Sequence, residues 1–462
     1  MSQSSLLEPK IFGKYALLKK LAAGGMAEVF LARPNSLDAN GRILIIKKIL
    51  PHIAEDPVFL QMFRAEIHVI MGFNHPNTVQ LYDFGEVDQQ LYIAMEYIEG
   101  KSLKQLALQA TACGEELPIP TVLSVVAQAA SGLAYAHGFE NRMTGEVFNT
   151  VHRDVSPHNL ILSYDGNLKV IDFGVAKAST ECSEATRTGT IKGKVSYMSP
   201  EQINGEVLDG RSDIFSLGIV AWELLTSQRL FFRPGEPEGR TVDRIGHSEK
   251  HVVPPSVAGR KLPVEIDNAI LKALCGDRDK RYATAHDFQR TLRNLMQKFY
   301  PDYAYADTGK IVQRLFAKEM VIERKELRDI NDKAQSTLAV LHSVHDSKTN
   351  LISSTPGTPA ENGVLIEALR LIKPHFEVME RALKQKAKPK HYAWIAFYVA
   401  SILLIKLDDH YSLLARFTIP TETVNQVTAS RSIKTTRLPA GQAQTISKVS
   451  SKVRARKGSR VQ

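Results

Sequence analysis

Asp154 and Asn159 stand five positions apart in VHRDVSPHNLIL, residues 151–162, and Asp172 follows in VIDFGVAK, residues 170–177. The first carboxylate can take a proton, and the amide and the second carboxylate offer oxygens suited to a hard cation such as Mg²⁺. Asp and Asn also cap turns, so this cluster is ambiguous by itself. Three further segments carry compatible groups. LAAGGMAEVFLA, residues 21–32, reads as a strand, a Gly-containing turn and a second strand carrying Leu21, Ala22, Gly24, Gly25, Ala27 and Val29. Its N–H groups would face phosphate oxygens while Val29 covers a base, although a Gly-Gly pair more often marks a plain hairpin. Lys47 in LIIKKIL is a cation among apolar strand residues, by default pointing to solvent. Glu66 is one acid on a helix with basic neighbours, by default on a solvated face.

The elements that would position these groups change character along the chain. Residues 11–100 read mainly as short strands, YALLKKLA, EVFLARP and GRILIIKKIL, with one helix in DPVFLQMFRAEIHVIMGF and a strand hairpin in VQLYDFGEVDQQLYIAMEYI. Residues 101–300 contain long apolar-periodic helices in LPIPTVLSVVAQAASGLAYAHGF and RSDIFSLGIVAWELLT, followed by VEIDNAILKALC and TAHDFQRTLRNLMQKF.

In this order and spacing the parts resemble a eukaryotic-type, Hanks-type protein kinase from about residue 11 to 300, and are similar to a bacterial serine/threonine branch with HRDVSP and GK-x-x-YMSPE sequences. The resemblance implies an α+β, bilobal fold: a strand-rich lobe at 11–98 and a larger helical lobe at 99–300. It implies ATP with Mg²⁺ or Mn²⁺ as cofactors and protein hydroxyls as substrates. Lys47 then stands where the family's strand lysine holds the α- and β-phosphates, with Glu66 as its ion-pair partner. Met95 takes the gatekeeper position, and the backbone of Glu96 and Ile98 would bond adenine. Asp154 would accept or orient the substrate hydroxyl's proton, and Asn159 and Asp172 would hold metal ions. Arg153 resembles the arginine that receives an activation-loop phosphate, with Thr186, Thr188 and Thr190 as candidate acceptors. Glu201 resembles the acid that pairs with buried Arg281, and Asp213 the aspartate that ties down the catalytic loop. Ile70, His152 and Phe173 would stack in an apolar spine.

Three departures stand against the family pattern. The turn reads Ala22-x-Gly24-x-x-Ala27, and alanine restricts positive φ. Ser156 replaces a lysine common in serine/threonine kinases, and Lys194 replaces a threonine. The two look like a swap in which Lys194 supplies charge near the γ-phosphate; the alternative is an ATP-binding pseudokinase scaffold that signals through partner docking.

The remaining chain is read from composition. Basic residues outnumber acidic ones 59 to 49, a net charge of +10, but nine of the basic residues lie after Thr421 beside a single acid, Glu422. The folded part is therefore near neutral, which argues against nucleic acid as a partner. Cys113, Cys182 and Cys275 are odd in number and form no C-x-x-C pair, so a reduced compartment fits, and no cleaved export signal is visible at the start. Residues 301–346 read as a helical extension, 347–363 as a Ser/Thr/Pro/Gly linker, 364–390 as an amphipathic helix with a basic flank, and 408–462 as a basic disordered tail. Within 391–407, Tyr392 to Ile405 are fourteen uncharged residues preceded by four lysines. This run reads as a single membrane span with the kinase domain in the cytoplasm of a bacterium, or as a core helix of a cytoplasmic protein. A homodimer that autophosphorylates is a further expected partner arrangement.

Overall fold

Strand alternation and turn chemistry build the small lobe. In a computed structural model of the 462-residue chain, which describes residues 6–35, 42–54, 57–141, 144–173 and 195–353, the strands are β1 (Leu6–Phe12), β2 (Tyr15–Ala23), β3 (Ala27–Pro34), β4 (Leu44–Ile49), β5 (Leu81–Val87) and β6 (Gln90–Glu96). They form one antiparallel sheet in the order β1-β2-β3-β4-β6-β5. The β5–β6 hairpin closes through Asp88 and Gln89, at φ +50° and +61°. Positive φ at both central residues matches the right-handed strand twist, here without glycine. Between β4 and β5 lie the short α1 (Pro51–Ala54) and α2 (Pro57–Met71). Helical spacing brings Phe63, Ile67 and Ile70 to one buried face of α2.

Three residues, Tyr97 to Glu99, then lead to β7 (Gly100–Ser102) and the helical lobe, with α3 (Leu103–Ala112) and α4 (Ile119–His137). Next come β8 (Leu160–Ser163), β9 (Leu168–Val170), α5 (Pro200–Ile203), α6 (Gly210–Thr226), α7 (Glu238–Gly246), α8 (Ser248–His251), α9 (Val264–Ala273) and α10 (Ala285–Phe299). Strands β7, β8 and β9 make a second small sheet under the cleft. From Ser212 to Leu225 every residue of α6 is buried, so this helix is the centre of the lobe rather than an amphipathic surface element. Gly132 lets α4 approach the small lobe's connection closely: a Cβ there would sit 2.5 Å from the Asn77 carbonyl oxygen. Among the described residues, α4 is the helix long and apolar enough to cross a membrane, and its apolar residues are spent on this core.

Two helices follow, α11 (Tyr305–Leu315) and α12 (Ala317–Ser353). The extension expected at 301–346 is helical, but α12 continues through 347–353, into the segment assigned to a linker. The strong helix breakers of that segment, Pro356 and Gly357, lie beyond it, and Ser, Thr and Asn alone do not stop a helix already propagating. The expectations for 364–390, 391–407 and 408–462, and those for Lys194, Thr186, Thr188 and Thr190, lie outside the described residues.

Candidate active site

The catalytic loop is built around one buried carboxylate. Asp213, in the first turn of α6, is 1% exposed and accepts from the backbone N–H groups of His152 (2.7 Å) and Arg153 (2.9 Å). Its Oδ2 also lies 2.8 Å from His137 Nε2, at the end of α4. Burial by itself would raise the Asp213 carboxyl, yet the His137 hydrogen bond and the positive ends of His137 and His152 hold it below the ordinary range. These bonds fix Arg153 in the left-handed region, at φ +63°. The Asp154 N–H donates to His152 Nδ1 at 3.2 Å, which leaves Nε2–H of the same ring to donate to the Ile171 carbonyl at 2.9 Å. The imidazole thus spans the loop of Asp154 and the segment after β9 that carries Asp172.

Asp154 and Asn159 meet across the short loop between them. Asn159 Nδ2 donates to the Asp154 backbone oxygen (2.9 Å) and to its carboxylate Oδ2 (3.1 Å). The loop between them closes through Asn159 N–H to Ser156 oxygen at 3.0 Å, and Ile171 N–H donates to the Asn159 oxygen at 2.9 Å. Both amide hydrogens of Asn159 are therefore turned toward Asp154, leaving its Oδ1 as the atom for a cation. Asp172, at φ +54°, presents its carboxylate to Lys47 Nζ at 2.7 Å. One amide oxygen and one carboxylate form a sparse, hard-oxygen set, which fits Mg²⁺ carried by a polyphosphate that completes the coordination. Among the described residues no group of three or more His, Cys, Asp or Glu could hold a metal without such help.

Two adjacent lysines in β4 show how strand alternation selects one for the cleft. Lys47 points to Asp172, whereas Lys48 points to the opposite face, with its ammonium 4.8 Å from the Phe12 ring centroid and 5.6 Å from that of Phe30. Burial among these rings pulls Lys48 below the usual lysine range.

The ion pair expected between Lys47 and Glu66 is not formed. Lys47 takes Asp172, and Glu66 Oε1 lies 3.8 Å from Arg153 Nη1. Two carboxylates compete for one ammonium, and the one that also makes a direct hydrogen bond wins. Glu66 Oε2 and Arg153 Nε are buried with no hydrogen-bond partner. Burial pushes the Glu66 carboxyl up to about 7, only partly opposed by Arg153. The arginine expected to meet a phosphate is thus turned toward the helix acid.

The nucleotide side of the cleft is assembled from the small lobe. Gly24 to Met26 join β2 to β3, closed by Gly24 N–H to Ala27 oxygen at 2.9 Å. None of Ala22, Gly24, Gly25 or Ala27 has positive φ, so the expected restriction by alanine has no target here. A Cβ on Gly25 would meet nothing within 4 Å, which leaves this turn open for an anion to approach the backbone. Leu21 is 44% exposed at the rim, and Val29 pairs with Lys47 across β3 and β4. Met95 is buried at the back, and Glu96 is held by Lys169 (2.6 Å) and by Gln80 N–H (2.7 Å) at the entry to the segment containing Ile98.

Behind the loop, Arg281 grips Glu201 with two hydrogen bonds, 2.6 and 2.9 Å, and its remaining donors reach the carbonyls of Cys275, Gly276 and Arg211. The guanidinium also covers the Phe215 ring at 4.7 Å. His152 and Phe173 rings lie 4.6 Å apart, and Phe173 and Ile70 belong to one buried cluster. Sequence reasoning missed His137 and Gln202. His137 ends an apolar helix, where a cation is favoured, and that position was the available signal. Gln202, whose Nε2 donates to the Arg153 oxygen at 2.9 Å, gave no signal beyond its place after SPE. Ser156 is 2% exposed, and its Oγ has no hydrogen-bond partner.

Comparison with known proteins agrees with this geometry. The protein kinase domain model matches residues 15–300. The tyrosine-protein kinase MasK of Myxococcus xanthus is 38% identical over 322 residues, 70% of this chain and 49% of that protein. The serine/threonine-protein kinase PrkC of Bacillus subtilis is 37% identical over 290 residues, 62% of this chain and 41% of that protein. The chain thus spans about half the length, or less, of these curated relatives. The kinase domain of Mycobacterium tuberculosis PknI matches at 26% identity and a TM-score of 0.46, over 63% of this chain and 99% of that one. Because the protein kinase domain model matches residues 15–300, more than half of the chain, the chain belongs to the protein kinase family.

Proposed function

We propose that this chain transfers the γ-phosphoryl group of ATP to serine or threonine hydroxyls of proteins, itself included, in bacterial signalling. The observation that carries the reading is the joining of Asp154 to Asn159 at 3.1 Å on a loop anchored by Asp213, opposite the Lys47 and Asp172 pair. In this arrangement Asp154 orients the acceptor hydroxyl and takes its proton, Asn159 holds Asp154 in place, and Lys47 neutralises phosphate oxygens. Mg²⁺, or Mn²⁺, bound at Asn159 and Asp172 would supply charge neutralisation to the polyphosphate. A non-catalytic ATP-binding scaffold is disfavoured, since it has no need of a base held this closely.

A second reading, tyrosine as acceptor, has one specific support: MasK is named a tyrosine-protein kinase, and Ser156 stands in place of the lysine common in serine/threonine kinases. Radiolabel transfer from ATP followed by phosphoamino-acid analysis separates the three readings. Phosphoserine or phosphothreonine, reduced roughly 10²- to 10⁴-fold in Asp154→Ala, is the expected result. Phosphotyrosine supports the second reading, and label that persists in Asp154→Ala and Lys47→Ala proteins sinks the assignment of the site.

Three sequence expectations extend the reading. Thr186, Thr188 and Thr190 are the proposed autophosphorylation acceptors, and mass spectrometry of active protein that finds no phosphate between residues 179 and 196 would remove them. Lys194 is proposed to restore the charge absent at Ser156; a Lys194→Met protein of wild-type rate would count against it. Residues 391–407 are proposed as a single span that leaves the kinase domain in the cytoplasm, on composition and the preceding lysines. Release of the protein from membranes by alkaline washing would favour the cytoplasmic alternative.

A further inference from the structure

Helices α11 and α12 follow the kinase domain, and phosphoryl transfer requires nothing of them. Yet α11 is docked firmly on the helical lobe: Gln313 Nε2 donates to the Tyr164 oxygen at 2.8 Å, Arg314 pairs with Glu115 at 2.6 Å, and Gln109 donates to the Leu315 oxygen at 3.1 Å. From this base α12 runs past the connection between the lobes and engages both. On the helical-lobe side, Glu323 pairs with Lys101 Nζ and accepts from Tyr164 Oη at 2.9 Å, while Arg324 pairs with Glu99. One turn later, Glu326 pairs with Lys19 of β2 at 2.6 Å. Farther along, Arg33 of β3 donates to Asn331 Oδ1 at 3.0 Å, and Ile330 and Ala334 pack with Ala16 and Leu18 in a small buried cluster.

Glu323 and Glu326 are three residues apart and lie on neighbouring positions of one helical face. That turn grips the helical lobe with one carboxylate and the small lobe with the next. Between the two grips lies Tyr97, in the connection itself; burial, and the charges of Glu323, Glu99 and Glu326, push its hydroxyl up to about 12. Lobe closure about a few connecting residues is how domains of this kind adjust around a ligand. A rigid helix bound to both sides of such a connection limits that rotation.

We propose that Glu323 and Glu326 are positioning residues for the nucleotide, because the helical turn that carries them holds the two lobes at one angle across Tyr97 to Glu99. Neither residue touches the cleft; they act through Lys19, Lys101 and Tyr164. Fixing the angle before binding spares the ligand the entropy of ordering two lobes, so loss of one grip weakens nucleotide affinity. The inference rests on the kinase reading only in that the cleft binds a nucleotide.

The test uses the full chain and equilibrium titration with a fluorescent adenine nucleotide and Mg²⁺, which requires no turnover. Glu326→Lys and Lys19→Glu are each expected to weaken binding roughly five-fold. Combining them re-forms the pair with its charges exchanged and is expected to restore affinity to within roughly two-fold of the wild type. General structural damage cannot be reversed by a second charge reversal, so restoration separates positioning from mere stability. Hydrogen exchange at residues 96–100 should rise in the single variants and return in the double. If Glu326→Lys is poorly folded by circular dichroism, Glu326→Gln carries the same expectation at roughly two-fold. Unchanged affinity in the single variants, or a double variant no better than they are, overturns the proposal. A wild-type protein that binds nucleotide without transferring phosphate defeats the catalytic reading alone, and one that binds no nucleotide defeats both.

Discussion

The two walls of the cleft are built on different principles. On the helical-lobe wall, Asp213 and Glu201 are almost fully buried, and each is saturated by donors from distant parts of the chain. On the side where the small lobe meets the cleft, Lys47 and its helical-lobe partner Asp172 keep 24% and 39% of their side-chain exposure, and Glu66 meets only a distant Arg153. A buried charge with every bond made has no cheap alternative, because breaking any bond leaves an uncompensated group in a low dielectric. Half-exposed pairs can exchange partners, since water takes over whatever is released. The loop that carries Asp154 is therefore held on a fixed floor, while Lys47, Asp172, Glu66 and Arg153 remain able to exchange partners among themselves.

The contrast predicts a descending series of stability effects. Arg281→Ala strands the buried Glu201 carboxylate and three carbonyls, and should cost about 3–5 kcal/mol in denaturant unfolding; a loss below about 1 kcal/mol would erase the distinction between the walls. Asp213→Asn replaces one acceptor oxygen by a donor facing donors. It should cost about 2–3 kcal/mol and reduce phosphoryl transfer by misplacing the loop rather than by removing the base.

Lys47→Met tests the other wall. Its stability should stay within about 1 kcal/mol of the wild type, because the lost pair is partly solvated, whereas phosphoryl transfer should drop to the level of the Asp154→Ala protein. Substantial unfolding in Lys47→Met would show that the small-lobe wall is structural as well.

The smallest expected effect is on pH dependence at Glu66. Its carboxyl stands at about 7 in the fold against an ordinary 4.5, so the folded protein holds this proton over a range where the unfolded chain has lost it. Wild-type stability should accordingly fall as pH rises from about 4.5 to about 7, by an amount on the order of 1 kcal/mol after screening. Glu66→Gln, neutral throughout, should be the more stable protein at pH 8 and no more stable at pH 4. Denaturation midpoints at the two pH values check the sign, and equal midpoints at pH 8 would return Glu66 to an ordinary, solvated acid.

Much of this site was legible because its chemistry is local or ordered along the chain. The five-residue spacing of Asp154 and Asn159 is closed by a tight loop, and the order of Lys47, Glu66, Asp154 and Asp172 matches that of a kinase. Apolar periodicity likewise located α2, α9 and α10, since a helix that buries one face must repeat apolar residues at its own period, and α4 and α6 stood out as longer, more continuously apolar runs. Lys48 shows where local reading stops being sufficient. Nothing in LIIKKIL distinguishes it from Lys47 except which face of β4 meets the cleft, and pairing with β3 and β6 settles that.

By itself the sequence determined the identity and order of the reacting groups and the helical or strand character of the elements beneath them. Tertiary structure alone decided who pairs with whom: Lys47 with Asp172 instead of Glu66, His137 with Asp213 across seventy-six positions, and the glutamates of α12 with both lobes. Period and spacing are properties of a single segment and survive in the linear text. Partner choice is a competition among charges brought together from separate segments, and its winner depends on distance and burial that exist only once the chain has folded.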